Sequence, residues 1–228
     1  MSFDVEAFVS ACRHAAGASD PTAAVSEVVA AAIADGPSID AALGTSVYGA
    51  RDTMLASPDL SVQRIGWPAG SQSNPHDHRM WAVVGVYAGT EVNRLFQRTA
   101  RGLVEQSVRN IEQGQVLVLD ETAIHAVSNP YRGRSVGLHV YGGDIVSIAR
   151  SEWDRDGREV PFGENATPQL AMFRTVAAVA AEYDRTVTHD DVYVAYNALY
   201  AACVPLGRYL SAEEARPVVV GAWGLVAH

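Results

Sequence analysis

The sequence predicts a mainly β fold, an antiparallel barrel or sandwich that carries helical segments at both ends. Between about Thr45 and Pro161, short β-prone runs alternate with turn residues. Gly70, Gly89, Gly102, Gly114 and Gly133 punctuate those runs at intervals suited to a barrel. Before and after this stretch the apolar residues switch to helical spacing. The expected divisions are a helical segment over 1–45, the β region over 46–160 and a helical extension over 161–228.

The elements follow in order. Phe3 to Ala15 is apolar at helical spacing. Asp20-Pro21 offers an N-cap followed by proline at the first helical position, opening a run to about Ala34. Gly36-Pro37-Ser38 reads as a break, with a short helix through Leu43. Strands are expected over Ser61–Trp67, Trp81–Tyr87, Glu91–Arg98, Leu103–Asn110, Val116–Leu119 and Ser135–Tyr141. Pro75 and Pro130 lie at run edges, where a missing N–H is tolerated. Helices return over Pro168–Tyr183, from Thr188-His189-Asp190-Asp191 to about Cys203, and from Ser211-Ala212-Glu213-Glu214 onward.

Composition narrows the function classes. A formal net charge of −9 over 228 residues, with scattered basic residues, excludes a nucleic-acid partner, which needs clustered Lys and Arg. No apolar run reaches the roughly 18 residues that span a bilayer. Asp4 and Glu6 stand where a secretory signal would carry positive charge. Two cysteines, Cys12 and Cys203, fit a reducing compartment, and the expected location is the cytoplasm.

Three of the seven histidines sit where a metal site would want them. His76 and His78 are two apart, so on a strand both rings share a face. His125 follows Val116–Leu119 and a polar turn, and could supply a third nitrogen from a neighbouring strand. A lone His-x-His pair is more often a surface or hydrogen-bonded core pair than a ligand pair. Spacing adds weight here. Five residues separate Gly70 from His76, and Gly89 lies eleven positions after His78; ten residues separate Gly114 from His125, and three separate His125 from Asn129. Both spacings resemble the two cupin motifs, and the resemblance implies a cupin double-stranded β-helix (jelly-roll barrel) with N-terminal and C-terminal α-helical extensions. Where cupins usually carry a glutamate ligand, this chain has Ala82. That implies a site of three neutral histidines, with coordination positions left open for substrate and oxygen.

Within the cupins the sequence is similar to the thiol dioxygenases, cysteine dioxygenase and the bacterial mercaptopropionate dioxygenases. The likeness spans about Tyr48 to Tyr141. It rests on Pro75-His76-Asp77-His78, Trp81-Ala82-Val83-Val84-Gly85-Val86, Ile124-His125-Ala126-Val127-Ser128-Asn129 and Leu138-His139-Val140-Tyr141. The resemblance implies Fe(II) held by His76, His78 and His125, with nickel, zinc or manganese as alternative ions. It also implies His139 and Tyr141 as catalytic residues. The family's Ser-x-His-x-Tyr reads Gly137-Leu138-His139-Val140-Tyr141 here, so the outer hydroxyl is missing. No cysteine lies in Arg79–Val84 to cross-link the tyrosine. Tyr141-Gly142-Gly143-Asp144 departs from the usual continuation, which suggests a divergent subgroup.

The resemblance further implies an arginine for the substrate's carboxylate. Arg51, one position from the family's Tyr-x-Arg, and Arg64, on a candidate strand, are the two options, although each residue type is more often a surface ion-pair partner. Trp67, Trp81 and Trp153 could line a pocket or fill the core. The expected activity is oxidation of a small thiol carboxylate to a sulfinate, with the substrate and O2 as partners and no nucleic acid or membrane. Two alternatives stay open. One is a metal-dependent cupin oxygenase, lyase or isomerase on a non-thiol substrate. The other is a non-catalytic metal- or ligand-binding cupin whose C-terminal helices could form a partner or homodimer surface.

Overall fold

Each of the first three helices begins on an aspartate. α1 (Val5–Ala16), α2 (Pro21–Ile33) and α3 (Gly36–Leu43) follow Asp4, Asp20 and Asp35, whose carboxylates accept from the N–H groups of Ala7, Ala23 and Ser38. These are donors a helix leaves unsatisfied at its start. α3 therefore starts inside the tripeptide read as a break. Asp35 caps it, and Pro37 falls in the first turn, where its missing N–H costs nothing.

The structure, a computed structural model, describes residues 2–44, 51–67, 70–100, 102–154 and 156–162, and further along the chain 175–176, 178–183, 194–195, 198–199, 202 and 210–225. Two compact units are present, Met1–Asn165 and Ala166–His228. Eleven strands form in the first unit: β1 (Arg51–Ala56), β2 (Ser61–Trp67), β3 (His76–Asp77), β4 (Ala82–Ala88), β5 (Thr90–Thr99), β6 (Gly102–Glu112), β7 (Val116–Leu119), β8 (Ile124–Ser128), β9 (Ser135–Tyr141), β10 (Ser151–Trp153) and β11 (Glu159–Pro161). They make two sheets, ordered β1-β2-β9-β4-β7 and β11-β10-β3-β8-β5-β6. From β2 to β5 and again from β6 to β10 successive strands alternate between the sheets, and every strand pairing is antiparallel. This is the jelly-roll winding of a double-stranded β-helix. The strands expected from the longer runs are present; β1, β3, β8, β10 and β11 are additions, each six residues or fewer.

The five-stranded sheet is buried on both faces along its central strands β2, β9 and β4. On one, Val62, Val83, Val136, Leu138 and Val140 pack with Phe8, Cys12, Val25, Val29 and Ile33 from α1 and α2. On the other, Ala82, Val84, Val86, Leu117, Leu119 and Tyr141 form the barrel interior. That is why β4 reads as a near-continuous apolar run, while β9 alternates Val136, Leu138 and Val140 on the helix side with Gly137, His139 and Tyr141 on the inner side. Gly85 belongs to the helix side, where a Cβ would run into Val29 and Ile33 of α2. The outer strand β6, by contrast, is exposed along most of its length.

In the second unit, α4 (Ala212–Ala222) begins with a capping box in which Ser211 and Glu214 exchange hydrogen bonds. Its Ala215, Val219 and Val220 join Val176, Val179, Ala195 and Leu199 in a separate apolar core. The rest of the helices expected over 168–183 and 188–203, and Cys203 with them, lies outside the described residues. No helix among the described residues is long and apolar enough to cross a membrane.

Candidate metal centre

The six-stranded sheet brings the three histidines together. His76 on β3 is paired directly with His125 on β8, and His78 follows β3 immediately. Their ring centroids are 4.6 to 5.2 Å apart, and one nitrogen from each can be chosen so that all lie within 4.8 Å of one another. All three are buried.

Hydrogen bonds fix which nitrogen is available. The His76 Nδ1–H donates to the Asn74 carbonyl at 3.0 Å. The His125 Nδ1–H donates to Asn93 Oδ1 at 2.9 Å, with Asn93 projecting from β5. In a neutral ring this leaves Nε2 as a bare lone pair. His125 Nε2 then faces His78 Nε2 at 3.2 Å. Two nitrogens held about 2.1 Å from one cation at a right or tetrahedral angle lie about 3.0–3.4 Å apart, so this spacing fits a shared metal ion. His78 Nδ1 is buried and has no hydrogen-bond partner among the described residues.

Burial keeps His78 and His125 neutral, the state that ligates. The His78 pKa is driven well below the usual range, first by desolvation and then by His125, His76, Arg150 and His139 nearby. His125 is lowered to about 3, again by desolvation first, then by His139 and Arg150. The donor set, three buried imidazoles of which two have their outer nitrogens oriented by hydrogen bonds, suits a divalent transition metal. Ala82, at the position of the missing carboxylate, is buried in the interior beside Tyr141.

The opposite wall comes from β9. Alternate residues Gly137, His139 and Tyr141 share its inner face. The Tyr141 hydroxyl lies 3.3 Å from His139 Nδ1, and the Tyr141 ring meets His78 edge-on at 5.1 Å between centroids.

A cavity of about 360 Å³ opens alongside, lined in part by Thr53, Gln63, Ile148, Arg150 and Phe162. Gln63 pairs with His139 across β2 and β9, and the Phe162 ring lies 5.6 Å from that of His76. Arg150, only 7% exposed, holds its guanidinium carbon 3.2 Å above the Phe162 ring.

The two arginines expected to meet a carboxylate fare differently. Arg64 is corrected: one step along β2 from Gln63, it points to the opposite face. There its guanidinium pairs with Asp52 and donates to the carbonyls of Leu43 and Gly44 at the end of α3. Arg51 opens β1, and its side chain lies outside the described residues, as do Tyr48, Gly49 and Ala50. Arg150 was not singled out from the sequence, since nothing in Ala149-Arg150-Ser151 marks a site. Trp67, Trp81 and Trp153 are not among the described residues lining the cavity. Trp81 packs against the helix-side core and Trp153 is buried beneath Arg98.

No family model matches the chain. Among solved structures it is similar to an uncharacterized conserved protein with a double-stranded beta-helix domain from Klebsiella pneumoniae, at 13% identity over 45% of this chain and 77% of that one, with a TM-score of 0.38. It is also similar to an RmlC-like cupin family protein from Methanocaldococcus jannaschii, at 12% identity over 43% and 84%, with a TM-score of 0.36. A third is the DMSP lyase DddQ from Ruegeria pomeroyi, at 18% identity over 44% and 49%, again with a TM-score of 0.36. The fold is a cupin double-stranded β-helix. Its strand order and two facing sheets show this in the chain itself, and a three-histidine cluster able to hold a metal ion lies inside the barrel.

Proposed function

We propose that this chain is a mononuclear non-haem iron(II) dioxygenase that converts a small thiol carboxylate into its sulfinate. The observation that carries this reading is the convergence of three buried histidines opposite a tyrosine–histidine pair. His76, His78 and His125 would hold the ion. Bound iron(II) would supply a Lewis-acidic centre that takes the thiol as thiolate and brings O2 beside the sulfur. Three neutral donors leave the ion's charge uncompensated, which favours an anionic sulfur ligand. Both oxygen atoms end on sulfur, so thiolate plus O2 gives sulfinate with no outside reductant.

The remaining roles fall to the chain's own side chains. Arg150 would take the carboxylate in a charge-assisted, two-pronged hydrogen bond, its plane steadied by Phe162. The Tyr141 hydroxyl, placed by His139, would turn its one proton from that imidazole to the oxygen added to sulfur.

The test is anaerobic loading with iron(II), followed by oxygen uptake with mercaptopropionate, cysteine and cysteamine. The expected result is thiol-dependent uptake and a product heavier by two oxygens, with cysteamine, which lacks a carboxylate, the poorest substrate. No thiol-dependent uptake at full iron occupancy overturns the reading. Carbon–carbon cleavage or an unchanged mass would mark a metal-dependent cupin acting on a non-thiol substrate.

A further inference from the structure

Glu91 is an oddity of the barrel interior. It is 0% exposed, and among the described residues neither carboxylate oxygen has a hydrogen-bond partner. A carboxylate so enclosed is costly unless a positive or proton-bearing group answers it. His139 is the group within reach: its Nε2 lies 3.6 Å from Glu91 Oε1, longer than a formed hydrogen bond but within ion-pair distance. That Nε2 is itself buried without a hydrogen-bond partner among the described residues. Two orphaned atoms therefore face each other, one able to accept a proton's hydrogen bond and the other able to donate it.

Gly137 accounts for how they meet. A Cβ built there would lie 3.1 Å from His139 Nε2 and 3.2 Å from Glu91 Oε1. Any side chain at 137 would stand between the imidazole and the carboxylate. The missing side chain and the buried acid are thus two halves of one arrangement. On β5, Glu91 shares a face with Asn93, which orients His125. One strand backs both walls of the site: Asn93 behind the metal cluster, Glu91 behind the tyrosine pair.

We infer that Glu91 is the positioning residue for His139, and through it for the Tyr141 phenol, in the place the sequence leaves vacant at Gly137. This rests on the dioxygenase reading for its catalytic consequence, but the Glu91–His139 pairing stands apart from it. With its proton on Nε2 aimed at Glu91, the ring cannot turn over, and Nδ1 stays directed at the Tyr141 hydroxyl.

The test uses metal-free protein labelled with 15N-histidine, beside turnover of the iron-loaded protein. Wild type is expected to show a protonated His139 Nε2 that exchanges slowly, identified by its disappearance in His139→Asn. Glu91→Leu keeps the volume and should abolish that signal. It should also lower thiol-dependent turnover about 10- to 100-fold at unchanged metal content, the usual loss when an orienting partner is removed. Adding Gly137→Ser to Glu91→Leu returns an acceptor to the gap and should recover part of both. Should Glu91→Leu fail to fold, Glu91→Gln, which keeps one acceptor oxygen, should retain the signal at intermediate turnover. An unchanged His139 signal in Glu91→Leu overturns the inference, whatever turnover does. If wild type shows no thiol turnover, the dioxygenase reading falls and the nitrogen signal alone decides the pairing.

Discussion

At the scale of single residues, the site depends on side chains that touch no substrate. Asn93 fixes the His125 tautomer through a 2.9 Å hydrogen bond. Asn93→Ala should therefore weaken metal binding about 10- to 100-fold while His125→Ala removes it, as read by chelator competition and metal analysis. Arg150→Met should raise KM for carboxylate thiols by about ten- to a hundredfold, the worth of one charge-assisted contact, at unchanged metal content. A third prediction concerns Tyr87, 1% exposed, whose hydroxyl donates to Asp40 Oδ1 at 3.3 Å. Burial pushes its pKa up to about 12, above the roughly 10 of an unfolded chain. Between these values the unfolded chain has lost a proton that the folded chain keeps. Stability should then be unaffected below pH of about 10 and fall by about 2 kcal/mol as pH rises towards 12. Urea unfolding across that window checks it, and Tyr87→Phe should flatten the slope.

Among the elements, what could be read in advance was decided by periodicity and caps. Asp20-Pro21 and Ser211 through Glu214 mark helix starts by chemistry that needs no tertiary context, and both helices begin there. The long strands announced themselves by β-branched runs. β3 and β10, of two and three residues, are held by neighbours, and no local pattern encodes them. The three histidines were legible because spacing along strands is local. The use of Glu91 was not, because the 47 residues between it and His139 close only when β5 and β9 come together. The one signal available was the Glu91-Val92-Asn93 alternation, which puts two polar groups on a single strand face. Arg64 shows the reverse error. Its place on β2 was right, but the strand's alternation turns it towards α3. Gly85 gives the element-scale prediction: Gly85→Val would press on Val29 and Ile33 and should cost about 1–3 kcal/mol in urea unfolding.

For the molecule as a whole, the cluster ties β3 and β8 and the segment after β3 to a common point. An ion bound there binds only the folded chain. At a free concentration a hundred times its dissociation constant it should add about 2.7 kcal/mol, seen as a rise in Tm that a chelator reverses. A Tm indifferent to iron, nickel and zinc alike would show that the histidines grip nothing. The sheet buried on both faces has a last consequence. β9 turns Leu138 and Val140 towards α1 and α2, and His139 and Tyr141 towards the chemistry. Wear on the outer helical coat is thus transmitted straight through one ribbon of backbone, and under the proposed function gentle heating should silence turnover before the spectrum betrays any melting.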